Sequence, residues 1–266
     1  MSEDRRHIFL VPLKTINDDF LEEIRLLDSY KSEQFSFLLS IQDHNSYIKA
    51  ISSDGFSKSV IFIRPDKYYD RTQHWEYIVK YAHANLYFDS FSFYFFGDTI
   101  RLCSFPVLHS TSHIFINDYY VDDWDNLKEN ITQAKVLKDY LGNIIRRNFI
   151  LGRPLLAPLQ KIIFTRNVAP QIIFDDQNPY VSDQLMLYDL IMNANCVEFI
   201  KKPFYKINNR NRTYSGTIGI LYIIKQQVYL YIKVRCFIGI PVIITRTLIK
   251  KFLKQLSKCD YEKINY

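Results

Sequence analysis

The residues with the clearest chemical potential are tyrosines and cations near the carboxyl terminus. Over residues 228–240, aromatic and basic side chains alternate with aliphatic ones, so a regular strand would present them on one face. Aromatic rings that stack on bases, beside cations that contact phosphates, are what single-stranded nucleic acid binding requires. We therefore expect DNA or RNA to bind this face, which comprises Tyr229, Tyr231, Lys233, Arg235 and Phe237.

The same region carries the excess positive charge of the chain. Residues 201–266 contain 14 Lys and Arg against two Asp and Glu, whereas residues 1–200 have a net charge of −6. A helix predicted over residues 246–257 has an apolar stripe and lysines opposite it, with no acidic residue. Because charge asymmetry sets the long-range field, an anionic partner is expected. Further predicted contacts to nucleic acid are Arg210, Arg212, Lys250, Lys251 and Lys254.

The composition of the basic region also fits three roles that do not involve nucleic acid. The aromatic side chains could pack beneath another element while the lysines merely cover a surface helix. An acidic protein partner, including the first 200 residues of this chain, would also match the charge. A basic amphipathic helix could instead lie on a membrane surface, although it lacks the interfacial Trp typical of such helices.

Two histidine triplets indicate a different chemistry. His44-Asn45-Ser46 and His109-Ser110-Thr111 match the H-x-[ST] pattern of the 2H phosphoesterases, in which paired histidines act as general acid and base on a phosphodiester. The strand and helix expected at the start of the chain also resemble that family. The resemblance implies a phosphodiesterase with catalytic His44 and His109. An alignment by strand order instead puts Ser57 and Lys161 at the histidine positions, which implies an inactive relative.

Cofactor-binding and metal-binding motifs are missing from the sequence. Only seven glycines occur, and none forms the glycine-rich loops with which proteins cradle phosphates. The four cysteines lack the paired spacing of zinc and redox sites, so they are expected to be reduced thiols. We therefore expect no cofactor and no metal. Whether the chain is an enzyme stays open, with a non-enzymatic role preferred.

The apolar pattern predicts both strands and helices. Buried strands are expected at His7–Leu13 and Phe35–Ile41, and a helix with one apolar face at 71–84. A hairpin-like pair of strands, 217–224 and 228–240, precedes the basic terminal helix. These elements predict an α+β fold with a mixed or antiparallel sheet, packed helices and a C-terminal β-hairpin plus basic amphipathic helix. We expect an N-terminal α+β body, residues 1–168, and a basic α+β module packed on it, residues 169–266.

The sequence-based hypothesis is a non-enzymatic subunit or adaptor of a complex that handles nucleic acid. Its expected partners are DNA or RNA and other protein subunits. No stretch approaches the roughly 20 apolar residues needed to cross a bilayer, and no signal peptide is recognisable. An intracellular location, in the nucleus or cytoplasm, is therefore expected. A 2H-type enzyme or inactive relative, and a purely protein-binding scaffold subunit, remain as alternatives.

Overall fold

Eleven strands form two sheets in the computed structural model, which describes residues 7–31, 35–95, 100–102, 113–117, 119–121, 127–129, 138–153, 159–193, 197–200, 205–207 and 218–263. The strands are β1 His7–Leu13, β2 Phe35–Ile41, β3 Val60–Ile63, β4 Ser90–Phe93, β5 Ile100–Leu102, β6 Ile114–Asn117, β7 Tyr119–Val121, β8 Leu127–Glu129, β9 Ile162–Thr165, β10 Val197–Ile200 and β11 Tyr205–Ile207. The larger sheet has seven strands in the order β10-β6-β9-β4-β1-β2-β3, and the smaller has four in the order β5-β11-β7-β8.

Seven α-helices accompany the strands within the described residues. They are α1 Asp18–Lys31, α2 His44–Ile51, α3 Arg71–Asn85, α4 Lys138–Ile150, α5 Ser182–Asn193, α6 Ile220–Lys233 and α7 Gly239–Lys263. Among these, no helix combines the length and the apolar character that a bilayer-spanning segment needs.

The seven-stranded sheet is mostly parallel. β1 pairs in parallel with β2 and β4, β2 pairs in parallel with β3, and β6 pairs in parallel with β10. Only β9 runs antiparallel to its neighbours in this sheet, β4 and β6. Parallel neighbours need crossover connections, which α1 supplies between β1 and β2 and α2 between β2 and β3.

Helices cover both faces of the parallel part of the sheet. On one face, α1 contributes Phe20, Leu21 and Ile24 to a cluster with side chains of β1 and β2. On the other, α3 contributes Ile78 and Val79 to the larger cluster. Burial on both faces explains why apolar residues dominate β1 and β2 without strict alternation. Each large buried side chain contributes roughly 1.5–3 kcal/mol to folding.

The expected α+β fold with a mixed or antiparallel sheet and a C-terminal β-hairpin is wrong. The seven-stranded sheet has the α/β crossovers described above, and most of the segment predicted as a hairpin, residues 217–240, forms the helix α6. Helical winding lets Gln226, Leu230 and Tyr231 be buried on one side of α6. This packing overrides the strand preference of the Ile, Val and Tyr residues nearby. The division of the chain at residues 168 and 169 stays a prediction.

Candidate functional site

Polar residues follow β1, β2 and β3 at the edge of the sheet where these parallel strands end. In the sheet, β1 lies between β2 and β4. The strands that follow β1 in sequence, β2 and β3, extend the sheet on one side, whereas β6 and β9, which follow β4, extend it on the other. Such a reversal of direction opens a crevice at the carboxyl ends of the strands, where α/β proteins bind their ligands. The residues after these strands are therefore candidates for a binding site.

A hydrogen-bonded chain holds the loop after β3 against the end of β2. Gln42 accepts the Tyr69 N–H through Oε1 at 2.6 Å, which leaves its Nε2 to donate to His74 Nδ1 at 3.1 Å. His74 consequently carries its proton on Nε2 and donates it to Ser40 Oγ at 2.8 Å. Burial lowers the pKa of His74 to about 4, so the ring is neutral. This network fixes the position of residues 64–70.

A second buried histidine, His7, begins β1 at the opposite end of the strand from the crevice. His7 forms hydrogen bonds through Nδ1 with Ser90 Oγ and through Nε2 with Ser92 Oγ, each at 2.9 Å. Burial lowers the pKa of His7 to about 3. Both histidines are therefore neutral groups that join neighbouring elements of the core.

Mild acid is expected to destabilise the protein through His7 and His74. In the unfolded chain both histidines have a pKa near 6.5. In the folded protein the pKa is about 3 for His7 and about 4 for His74. The unfolded state thus binds more protons in this interval, so stability is complete above pH 6.5 and falls as the pH decreases. Each histidine should remove about 2 kcal/mol of unfolding free energy by about pH 5. Urea unfolding of the wild type and His74→Gln across pH measures this, and an unchanged slope in the variant would contradict it.

Asp43 and Ser46 join the loop after β1 to the start of α2. Asp43 Oδ2 accepts the Ser46 N–H at 2.7 Å, and this bond is the main reason that the pKa of Asp43 is lowered. Ser46 Oγ in turn accepts the Ile16 N–H at 3.3 Å. Beside them, exposed Arg64 donates from Nη1 to His44 Nδ1 at 2.9 Å. The loops after β1, β2 and β3 are therefore held together.

Three exposed cations and an exposed aromatic ring line this edge. Lys14 follows β1, and its Nζ lies 5.8 Å from the ring centroid of Tyr68, which is 60% exposed. Lys67 Nζ lies 5.2 Å from the ring centroid of Tyr69. Arg64, after β3, is the third cation. The arrangement offers positive charge and an open ring face at one place.

The segment before α5 crosses the amino-terminal end of α3 and reaches the same edge. Gln73 Nε2 donates to Asp176 Oδ2 at 3.1 Å, and the Phe174 N–H donates to Glu76 Oε2 at 3.0 Å. Because α3 begins directly after the loop that follows β3, these bonds place the start of α5 at the crevice side of the sheet.

Asp183, in the first turn of α5, is the carboxylate with unusual electrostatics there. Burial raises its pKa, while bonds from Gln184 and the charge of Arg71 act in the opposite direction. Asp183 Oδ1 accepts the Gln184 N–H at 2.9 Å. Arg71 is anchored because its Nη2 donates to the Pro179 carbonyl oxygen. A carboxylate with a raised pKa at a crevice is a candidate proton acceptor.

The end of β4, on the other side of the crevice, is aromatic. Tyr94 Oη donates to Glu23 Oε1, and the Phe95 ring lies 5.1 Å from Trp75 and stacks on Phe93 at 5.8 Å between centroids. Within the described ranges, no group of three or more His, Cys, Asp or Glu side chains is placed to hold a metal ion.

The structure disperses the residues predicted to form a nucleic acid surface. Tyr229, Tyr231 and Lys233 lie in α6, Arg235 and Phe237 between α6 and α7, and Lys250 and Lys251 in α7. Tyr231 is fully buried and donates to the Phe149 carbonyl oxygen at 2.9 Å, so the predicted common face does not exist. The side chains of Arg210, Arg212, Lys254 and His109 lie outside the described part of the chain. His44 is at the crevice edge, where Arg64 contacts it.

The site residues were missed because they sit in no named motif. Lys14 and Asp43 each occur within two residues of the end of a predicted strand, and Arg64 directly follows β3. Polar residues directly after buried parallel strands are the signal that could have located them.

No family model and no curated protein matches this sequence. Solved structures do match. S. aureus TarS, residues 1–349, is 10% identical with a TM-score of 0.54, and the match covers 86% of this chain but 65% of that one. Glucosyl-3-phosphoglycerate synthase from Mycobacterium tuberculosis is 11% identical with a TM-score of 0.51, covering 85% of this chain and 79% of that one.

These matches overturn the nucleic-acid-associated subunit or adaptor, together with its expected DNA, RNA and protein partners. They equally give no support to the 2H phosphodiesterase or to the scaffold subunit. The chain has the GT-A fold of glycosyltransferases, a Rossmann-like α/β architecture with a mostly parallel sheet.

Proposed function

We propose that the chain binds a nucleoside-diphosphate sugar in the crevice and transfers the sugar to a hydroxyl of an acceptor. The fold supports this function, because the similar mycobacterial enzyme is a glucosyl-3-phosphoglycerate synthase. Structures of that enzyme hold UDP-glucose and Mn²⁺. The observation that carries the proposal is the convergence of Lys14, Arg64, Lys67 and Tyr68 at the carboxyl ends of β1–β3.

These residues match the parts of a nucleotide. An exposed ring such as that of Tyr68 can stack on a base, which typically contributes about 1–3 kcal/mol. Lys and Arg contact phosphate oxygens through charge-assisted hydrogen bonds. Three neighbouring cations therefore suit a diphosphate better than a neutral ligand. Asp66, which accepts a hydrogen bond from Tyr69 Oη at 3.2 Å, is the carboxylate nearest to this group in sequence.

A divalent metal, as in the mycobacterial synthase, does not fit the described residues of this chain. Mg²⁺ and Mn²⁺ prefer carboxylate oxygen ligands. The described residues directly after β4 at the reversal point are Tyr94 and Phe95, both engaged in packing or hydrogen bonding with neighbours. We therefore assign the neutralisation of the diphosphate to Lys14, Arg64 and Lys67.

Asp183 is our candidate for the general base. Its carboxylate would take the proton of the acceptor hydroxyl as the hydroxyl oxygen forms a bond to the anomeric carbon of the sugar. The bond between that carbon and the diphosphate oxygen breaks, and the nucleoside diphosphate leaves with the electron pair. A raised pKa brings a carboxylate closer to the range in which proton transfer is efficient.

Nucleotide binding is expected to persist when divalent cations are removed. In EDTA, UDP or GDP should bind measurably by isothermal titration calorimetry, and more tightly than UMP or GMP because the cations contact both phosphates. Lys67→Ala should weaken binding by about tenfold, the effect of one charge-assisted contact. Lys58→Ala is the matched control, since this exposed lysine lies before β3, at the opposite edge of the sheet.

Two results would contradict this proposal. If EDTA abolishes binding, a metal rather than the lysines and Arg64 holds the diphosphate. If no nucleoside diphosphate binds, or if Lys58→Ala weakens binding as much as Lys67→Ala, the crevice is not the site.

An intracellular location, in the nucleus or cytoplasm, belongs to the same proposal. It is supported by Cys236, a free thiol in the described part of the chain, since free thiols persist in reducing compartments.

A further inference from the structure

Helices α6 and α7 form a hairpin whose inner side is packed on the body. Leu230, Tyr231 and Ile243 are buried there, and Thr247 Oγ1 donates to Gln227 Oε1 at 2.7 Å between the two helices. Tyr231 joins the hairpin to α4 through the Phe149 carbonyl. These contacts fix which side of α7 faces the protein.

The opposite side of α7 is apolar although it faces outward. Starting just before the helix, residues spaced by four, three, four and three positions lie along one line of its surface. We call this line the outward stripe, and it consists of Ile238, Val242, Thr245, Ile249 and Phe252. Its aliphatic and aromatic members are between 41% and 75% exposed. An exposed apolar row of this kind is typical of a surface that contacts a membrane or another protein.

Cations border the outward stripe and carboxylates do not. Arg246 lies on α7 next to the stripe, and its Nη1 also donates to the Leu151 carbonyl oxygen at 3.3 Å. Lys250 lies further round α7, and Lys225 lies on α6; all three are exposed. The sequence has no Asp or Glu between Gly219 and Cys259. Among the described residues, neither ion pair involves this hairpin, although the charge of Lys233 acts on Asp189 in α5.

We propose that the α6–α7 hairpin docks on the surface of an anionic lipid bilayer. The outward stripe would enter the boundary between headgroups and acyl chains, while Arg246, Lys250 and Lys225 contact anionic headgroups. Apolar residues flanked by cations on a helix that does not span the membrane are what such interfacial binding requires. A bilayer combines an apolar layer with anionic charge directly above it, which matches both features of the hairpin at once.

Co-sedimentation of the full chain with vesicles tests this proposal without any sugar nucleotide, so its outcome does not depend on the proposed function. We expect binding to vesicles that mix phosphatidylcholine with phosphatidylserine, and at least about fivefold weaker binding to phosphatidylcholine alone. Binding should weaken as salt is added, because exposed charges are screened.

Two variants with matched controls separate the apolar and charged contributions. Ile249→Asp should weaken vesicle binding by about tenfold or more. Leu26→Asp should not weaken it, although Leu26 in α1 is as exposed as Ile249, at 56% against 53%. Lys250→Glu should weaken binding to anionic vesicles by about tenfold, whereas Lys58→Glu, with the same change in net charge, should not. All four sites are exposed, so circular dichroism should show intact folds.

Several outcomes would overturn the proposal. Equal binding to both kinds of vesicle, or no effect of Ile249→Asp and Lys250→Glu, would exclude this surface. Absence of vesicle binding together with a dimer in sedimentation velocity that Ile249→Asp dissociates would show that a second copy covers the stripe.

Discussion

Replacement of Asp183 by Asn is expected to slow sugar transfer by about 10²–10⁴-fold, the usual contribution of a positioned general base. Nucleotide affinity should stay the same, because the predicted diphosphate contacts come from Lys14, Arg64 and Lys67. The amide keeps the size of the carboxylate and can still accept the Gln184 N–H through its oxygen. What it loses is the capacity to take a proton. The effect should therefore appear in kcat and not in the binding constant of the nucleoside diphosphate.

The control for this substitution lies in the same helix. Asp189 is an exposed residue of α5 whose pKa is also raised, through partial loss of solvent around its carboxylate. It lies six residues after Asp183, further from the end of α5 that faces the crevice. Asp189→Asn should therefore leave transfer unchanged. Because Asp183 must be deprotonated to act, the wild-type rate should fall as the pH decreases, with its midpoint above the ordinary range of an aspartate. A fully active Asp183→Asn enzyme would rule out this role.

The amino-terminal half of the fold could be predicted from local patterns. β1 and β2 were predicted with their observed bounds, because mostly apolar seven-residue segments between polar residues suit strands buried on both faces. Residues 71–84 were predicted as a helix and form most of α3, which has an Asp70 capping box and one buried face. What the patterns did not give is the parallel pairing, which depends on contacts between residues far apart in the sequence.

The carboxyl-terminal region was mispredicted for a specific physical reason. Residues 228–240 contain enough apolar residues to fit both a strand period and a helix period, so periodicity alone does not decide between them. The helical arrangement wins because it buries Leu230 and Tyr231 against α4 and α7. The excess of cations is present as predicted, but positive charge does not distinguish nucleic acid from anionic lipid or from phosphate.

Gly239→Ala is expected to lower the free energy of unfolding by about 3 kcal/mol, at the upper end of overpacking effects. A Cβ at this position would lie 2.4 Å from Tyr231 Cε1 and 2.6 Å from the Phe149 carbonyl oxygen. Tyr231 cannot simply move away, since it is fully buried and its Oη donates to that same carbonyl. Gly239 therefore lets the start of α7 approach α4 and α6 closely, and the larger residue should separate the hairpin from the body.

Gly142→Ala provides the control with the opposite expected sign. A Cβ at Gly142, inside α4, meets nothing within 4 Å, and alanine favours helix over glycine by up to about 1 kcal/mol. Urea unfolding should therefore show a stabilised Gly142→Ala and a strongly destabilised Gly239→Ala. In a Tyr231→Leu background the penalty of Gly239→Ala should shrink, because the shorter side chain removes the nearest clash. Equal stabilities of Gly239→Ala and wild type would mean that α7 does not pack as closely on Tyr231 and Phe149 as described.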